Sequence, residues 1–234
     1  MDWLRTTTRA VADLALGRCC AGCDRPGGHL CQTCSERMQP RVRLHTRLRL
    51  DDVSLGLSIP VLTSLEYSGV CRQILYRYKD HGDLSVTSVL ASAVAVTLQA
   101  VGTVTGTSPA VAIPVPTRRS AARHRGFLPV ERILRAAITG SSPTIHRVLV
   151  DTRRQRADKG LGAADRQAVV AGAFRISGQV PHVPAVLVDD VVTTGATLRE
   201  SAITLMHAGV HLVAAVAVAG TPSGGWSESV GVRR

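Results

Sequence analysis

The segment Val186–Leu198, Val-Leu-Val-Asp-Asp-Val-Val-Thr-Thr-Gly-Ala-Thr-Leu, constrains this chain more than any other. Its first three residues form the unbroken apolar run of a strand buried on both faces. Two adjacent carboxylates, Asp189 and Asp190, end that run, and a loop of small residues then leads into a helix. A strand covered on both sides requires a mostly parallel sheet flanked by helices. Acids at its carboxyl end stand where open α/β sheets hold their ligands.

The rest of the chain fits that architecture. Val61–Tyr67, Ala110–Val115, His146–Val150, Ala173–Ile176, Ala185–Val188 and His211–Ala219 read as strands. Gly69–Lys79, Leu84–Val101, Leu128–Ala137 and Ala196–His207 read as helices, with Pro129 in a first turn and Gly209 as a stop. Asp2–Leu16 predicts a short N-terminal helix, and the Gly/Ser-rich stretch after Gly220 predicts a frayed tail. Cys and Gly give way to Arg and Leu near Pro40–Leu50, which divides the chain into 1–45, 46–220 and a tail 221–234. Aromatic residues are only 3 %, so the core must be built from Val, Leu, Ala and Ile.

A helix cap needs one polar residue. This segment supplies two Asp, three Thr and a Gly. Asp189 and Asp190 can accept hydrogen bonds from sugar hydroxyls. Val191 leads to Thr193, Thr194, Gly195, Ala196 and Thr197, whose hydroxyls and N–H groups at a helix start make an anion cradle. Gly195 lets the backbone approach a phosphate closely. The two halves together predict a site for a ribose 5-phosphate group.

Four cysteines form a second constellation. Cys20-x-x-Cys23 and Cys31-x-x-Cys34 can each present two thiolates to one tetrahedral zinc ion. Cys19 adjoins Cys20 and competes with it as a ligand, and His29 is a weaker alternative. Four thiolates leave no position open for water, so the expected role is structural. Cys71 reads as a small buried apolar residue.

The formal charge is +11, with basic runs at Arg41–Arg49, Arg118–Arg125 and Arg153–Lys159. Such runs suit the phosphates of a nucleotide or a nucleic-acid backbone, or form a solvated Arg-rich surface. The longest apolar stretches, Val86–Val101 and Leu212–Ala219, read as too short or too interrupted to span a bilayer. Met1–Gly17 has no uninterrupted apolar core of a signal peptide, so a cytoplasmic location is expected.

The Asp-Asp/Thr-Thr-Gly segment resembles the phosphoribosyl pyrophosphate (PRPP) signature of type I phosphoribosyltransferases. With a four-Cys knuckle in front, the chain resembles the ComF (competence protein F) family over nearly its whole length. Tyr67, Gly69, Lys79 and Gly82 carry that likeness, as do Pro114–Phe127, and Arg166 with Gly172, Ala173 and Phe174. Leu128, Pro129 and Val169 depart from the family pattern. The resemblance implies a type I phosphoribosyltransferase-like α/β fold with a small N-terminal zinc-binding subdomain. It implies that Asp189 and Asp190 hold the ribose hydroxyls, and that Thr193–Thr197 hold the 5-phosphate. It further implies that pyrophosphate, carried with Mg²⁺, is gripped by a loop after an earlier strand, for which Arg118, Arg119, Arg123 and Arg125 are the candidates. Three functions follow as expectations: phosphoribosyl transfer to an acceptor, handling of single-stranded DNA with a helicase-like competence partner, or PRPP sensing. Few aromatics are available for base stacking, so any DNA contact would run through phosphates.

Overall fold

The computed structural model describes residues 19–50, 57–140, 143–153 and 172–222 of the 234. The expected helix Asp2–Leu16, most of the basic run Arg153–Lys159, Arg166, Val169 and most of the tail lie outside the described residues. The elements are α1 (Gln32–Arg37), β1 (Arg43–Arg49), β2 (Ser58–Glu66), α2 (Gly69–Asp80) and α3 (Thr87–Thr105). They continue with β3 (Val111–Pro114), α4 (Arg119–Arg125), α5 (Pro129–Ala137), β4 (Thr144–Ile145), β5 (Leu149–Asp151) and β6 (Phe174–Ile176). The last three are β7 (Ala185–Val192), α6 (Ala196–His207) and β8 (Leu212–Gly220).

Six strands form one sheet in the order β1-β2-β8-β7-β3-β4, and β5 and β6 form a separate antiparallel pair. All pairings in the large sheet are parallel except that of the edge strand β1 with β2. The carboxyl ends of β2, β8, β7 and β3 therefore emerge along one side.

Side chains of the central strands alternate between two cores, as a strand's period of two demands. Val186, Val188, Ala214, Val216 and Val218 join the core shared with α2, α3 and α5. Ala185, Leu187, Leu212, Ala215 and Ala217 join the core shared with α6, β1 and the β5–β6 pair. Helices thus cover both faces, and the fold is mixed α/β with a mostly parallel central sheet.

Three segments differ from their sequence readings. Arg43–Arg49 is a strand, although its exposed arginines mask the alternation. Its basic side chains suit an edge position, where charge discourages pairing with another chain. His146–Val150 is not one strand, because Thr144–Ile145 pairs with β3 while Leu149–Asp151 leaves for the second sheet. The helix starting at Leu84 runs on to Thr105, four residues beyond the expected end, and closes on Gly106 in the left-handed conformation. Leu84–Thr105 is long and apolar enough, by length and composition, to cross a membrane. Its buried face, including Leu90, Val94, Leu98 and Val101, accounts for that character, since it packs into the core beside β2, β8 and α5.

Candidate functional site

The two acids are strand residues. β7 continues four residues beyond Val188 because Asp189, Val191 and Val192 keep pairing with Ala217, Ala219 and Gly220. Asp190 has the parity of Val186 and Val188, which face the core shared with α2, α3 and α5. From α2, Lys79 Nζ reaches Asp190 Oδ2 at 2.7 Å. Asp189 Oδ1 accepts the backbone N–H of Asp190 at 2.8 Å. Burial pushes the Asp189 carboxyl up to about 7, the Asp190 charge adds to this, and Lys79 opposes it. Burial also works against the Lys79 ammonium, but the Asp190 carboxylate outweighs it and holds the lysine above its ordinary value.

These groups line an open cleft of about 370 Å³. Its walls include Tyr67, Lys79, Asp189, Asp190, Val191, Thr193 and Thr197. Val115, Pro116, Thr117, Arg125, Pro129 and Val130 complete it. Gly195 is the residue before α6, with φ of +75°, and offers no side-chain cap. Ala196 N–H reaches Thr194 Oγ1 at 3.4 Å. The Thr193 carbonyl accepts from Thr221 Oγ1 at 3.4 Å, and Val192 O accepts Thr221 N–H at 3.0 Å, so the loop is tied to the end of β8. The cleft thus offers carboxylates at one point, and Thr hydroxyls at a helix start a few residues further on. Of the residues singled out in this segment, Asp189, Asp190, Val191, Thr193 and Thr197 line the cleft together.

The four candidate arginines do not act as one group. Arg119–Arg125 is a helix rather than a loop, built from good helix formers and closed by Gly126 at φ 72°. Arg119 and Arg123, four residues apart, share a face and line a different cleft with Asp151, Arg153 and Arg175. Arg125 points elsewhere, lines the acid cleft and donates through Nη2 to Asp80 Oδ1 at 3.1 Å. Arg118 is the residue before the helix.

Lys79 was visible in the sequence only through the family resemblance, and nothing in its local pattern marks it as a partner of Asp190. One compositional oddity does single it out. Only two of the chain's 28 basic residues are lysines, Lys79 and Lys159.

The cysteine turn is compact. The sulfurs of Cys20, Cys23, Cys31 and Cys34 all lie within 4.8 Å of one another. Cys23 and Cys31 are 3.7 Å apart at sulfur, against about 3.8 Å for two thiolates on a tetrahedral zinc with bonds of about 2.3 Å. The N–H groups of Cys31 and Gly22 point at Cys20 Sγ, at 3.3 and 3.4 Å. Burial opposes ionisation of Cys20, yet these donors, with the Cys23 thiol, hold it down to about 6. Burial, and behind it the surrounding thiols, pushes Cys34 well above its usual value. A divalent cation among the sulfurs relieves that penalty. The donor set, spacing and compactness fit one metal ion such as zinc. Cys71 is buried in the core, as expected.

The described residues therefore define a mixed α/β protein with an acid- and threonine-lined cleft at the carboxyl edge of its sheet and a four-thiol cluster before it. The chain is similar to an orotate phosphoribosyltransferase from Aeropyrum pernix, with 20% identity over 72% of this chain and 71% of that one and a TM-score of 0.33. It is also similar to the orotate phosphoribosyltransferase of Mycobacterium tuberculosis H37Rv in complex with Fe(III) dicitrate. There the identity is 13% over 80% of this chain and 82% of the other, and the TM-score is 0.31. No protein-family model and no curated protein matches the chain.

Proposed function

We propose that the cleft at Asp189, Asp190 and Thr193–Thr197 binds the ribose 5-phosphate portion of PRPP, and that the chain is a ComF-like, phosphoribosyltransferase-like protein with a structural zinc ion on Cys20, Cys23, Cys31 and Cys34. The observation that carries this reading is the placement of both carboxylates and both Thr193 and Thr197 in one cleft at the carboxyl edge. A vicinal diol donates two O–H groups, which matches a pair of adjacent carboxylates. A phosphate matches a helix start with glycine before it and threonine hydroxyls around it. Arg125 and Thr117 line the same cleft and are the groups there that would suit the pyrophosphate of Mg²⁺-PRPP.

Transfer of the phosphoribosyl group is the activity this site would support. The bond from the anomeric carbon to pyrophosphate would break as a bond to an acceptor formed, with the acids stabilising the cationic sugar between. An exposed arginine surface on α4 and the β5–β6 pair, including Arg119, Arg123 and Arg175, favours a role beside single-stranded DNA as the second reading.

Calorimetry with PRPP and Mg²⁺ tests the first claim on wild type and on the double variant Asp189→Ala, Asp190→Ala. Binding to wild type and loss in the variant are expected; equal binding would refute it. Release of pyrophosphate with a panel of nitrogen nucleophiles tests transfer. A steep loss of oligonucleotide anisotropy with salt tests the second reading.

A further inference from the structure

Lys79 is fixed in place by its neighbours in sequence. Tyr78 donates its phenol O–H to Pro129 O at 3.0 Å, and Asp80 accepts Arg125 at 3.1 Å. Three consecutive residues at the end of α2 thus reach three different parts of the carboxyl edge. Lys79 takes the middle one, 2.7 Å from Asp190, with both side chains largely out of solvent.

Two charged carboxylates on consecutive residues repel each other, and a cation in contact with one of them stabilises the charge of that one. Here that one is Asp190. Lys79 touches Asp190, while Asp189 Oδ1 accepts the backbone N–H of Asp190. Among the described residues, few other titratable groups face the pair. Tyr67 lines the cleft beside Lys79, and Arg125 lines it from α4 but is paired with Asp80. Tyr78 lies behind Lys79, against α5, with Arg132 acting on it from that helix.

We propose that Lys79 is a positioning residue of the sugar site: its ammonium pairs with the Asp190 carboxylate and aims it at one hydroxyl of a vicinal diol, and leaves Asp189 as the member of the pair that exchanges a proton when the diol binds. This rests on the sugar-phosphate reading of the cleft. The upward push on Asp189 by burial and by the Asp190 charge agrees with it. The proton balance is simple. A neutral Asp189 gives up one proton to solvent as it becomes the second acceptor, so the diol binds best once that proton has gone.

The experiment measures ribose 5-phosphate affinity from about pH 5.5 to about pH 9 on wild type, Lys79→Gln, Lys79→Met and Lys79→Arg. Ionisation of the ligand's own phosphate is common to all four and cancels in the comparison. In wild type the affinity rises through a midpoint near neutrality. In Lys79→Gln and Lys79→Met the midpoint moves up by about one pH unit or more, so affinity near pH 7 falls about tenfold and recovers toward pH 9. Lys79→Arg returns the midpoint toward wild type. A second readout needs no ligand: the carboxyl carbon resonance of Asp189, followed by NMR, titrates at higher pH in Lys79→Gln than in wild type.

A loss of affinity equal at every pH, with an unmoved Asp189 titration, would reduce Lys79 to a structural residue and overturn the inference. No ribose 5-phosphate binding by wild type at any pH would instead overturn the sugar-phosphate reading itself, and this inference with it.

Discussion

Arg77 of α2 forms an ion pair with Asp24, the one non-glycine residue among those described with left-handed backbone (φ 62°). Asp24 closes the first cysteine turn, where its N–H bonds to Cys20 O at 2.9 Å. Close by, a Cβ on Gly22 would stand 2.8 Å from Cys34 Sγ and 2.8 Å from Val70 Cγ1 of the same helix. The thiol cluster is therefore fastened to α2, and α2 carries Lys79. Metal removal is expected to act on both. Elemental analysis should give one zinc per chain, and Cys34→Ser should lower it. Chelation should lower the thermal midpoint by several degrees and weaken ribose 5-phosphate binding about threefold or more, since structural zinc contributes directly to folding. A chelated protein that binds the sugar phosphate as well as the zinc form would break the proposed link through α2.

Gly195 is the next sensitive point. Its φ of +75° suits glycine, and an added Cβ would stand 3.2 Å from Leu48 Cδ2. Gly195→Ala is expected to cost about 1–2 kcal/mol in urea denaturation, the usual penalty for a left-handed non-glycine residue. It should also distort the threonine loop, so its effect on ribose 5-phosphate affinity should exceed the effect on a phosphate-free sugar. Wild-type stability and affinity in this variant would count against the cradle geometry.

Much of this arrangement is legible in the sequence, for reasons that differ by element. Val186–Val188 and Leu212–Ala219 are buried on both faces, and nothing else an unbroken apolar run can do competes with that. The cysteine spacing is equally direct, because a four-residue turn brings its own two sulfurs together. β1 is obscured in the sequence because three of its seven residues are arginines, two of them exposed, and a bulge between Leu44 and Thr46 breaks its register. Spacing in sequence does not show which face of α4 each arginine takes, so Arg118, Arg119, Arg123 and Arg125 read there as one loop. The Lys79–Asp190 pair is a contact across 111 positions of chain, set by how α2 packs on the sheet, and no local pattern encodes it.

The division of the arginines has its own consequence. Arg125 lines the acid cleft and braces Asp80, whereas Arg119 and Arg123 line the other one. The double variant Arg119→Ala, Arg123→Ala should leave ribose 5-phosphate affinity within about twofold, since both side chains are exposed and outside the site. Arg125→Ala should lower PRPP affinity about tenfold, because it removes a cation facing the cleft and frees the end of α2. Calorimetry with both ligands on both variants separates the two clefts. Equal losses in the two variants would mean that the arginines act together after all.

The acid pair also marks the stability of the ligand-free protein. Asp189 has an ordinary value of 3.8 and is pushed up to about 7 in the fold, first by burial and then by the Asp190 charge. Between those values the folded state keeps a proton that the unfolded chain has lost. Stability from this group is full below about pH 4 and is lost as pH rises through about 7, at no more than about 1.4 kcal/mol per pH unit for one proton. Asp189→Asn carries no such titration. Urea denaturation of zinc-loaded protein at about pH 5.5 and about pH 7.5 should therefore show wild type losing ground to Asp189→Asn as pH rises. The cysteines and Lys79 are common to both proteins, so the difference isolates the one carboxyl. A constant difference between the two proteins at both pH values would mean that Asp189 is ionised throughout, and that its burial is relieved by something other than a proton.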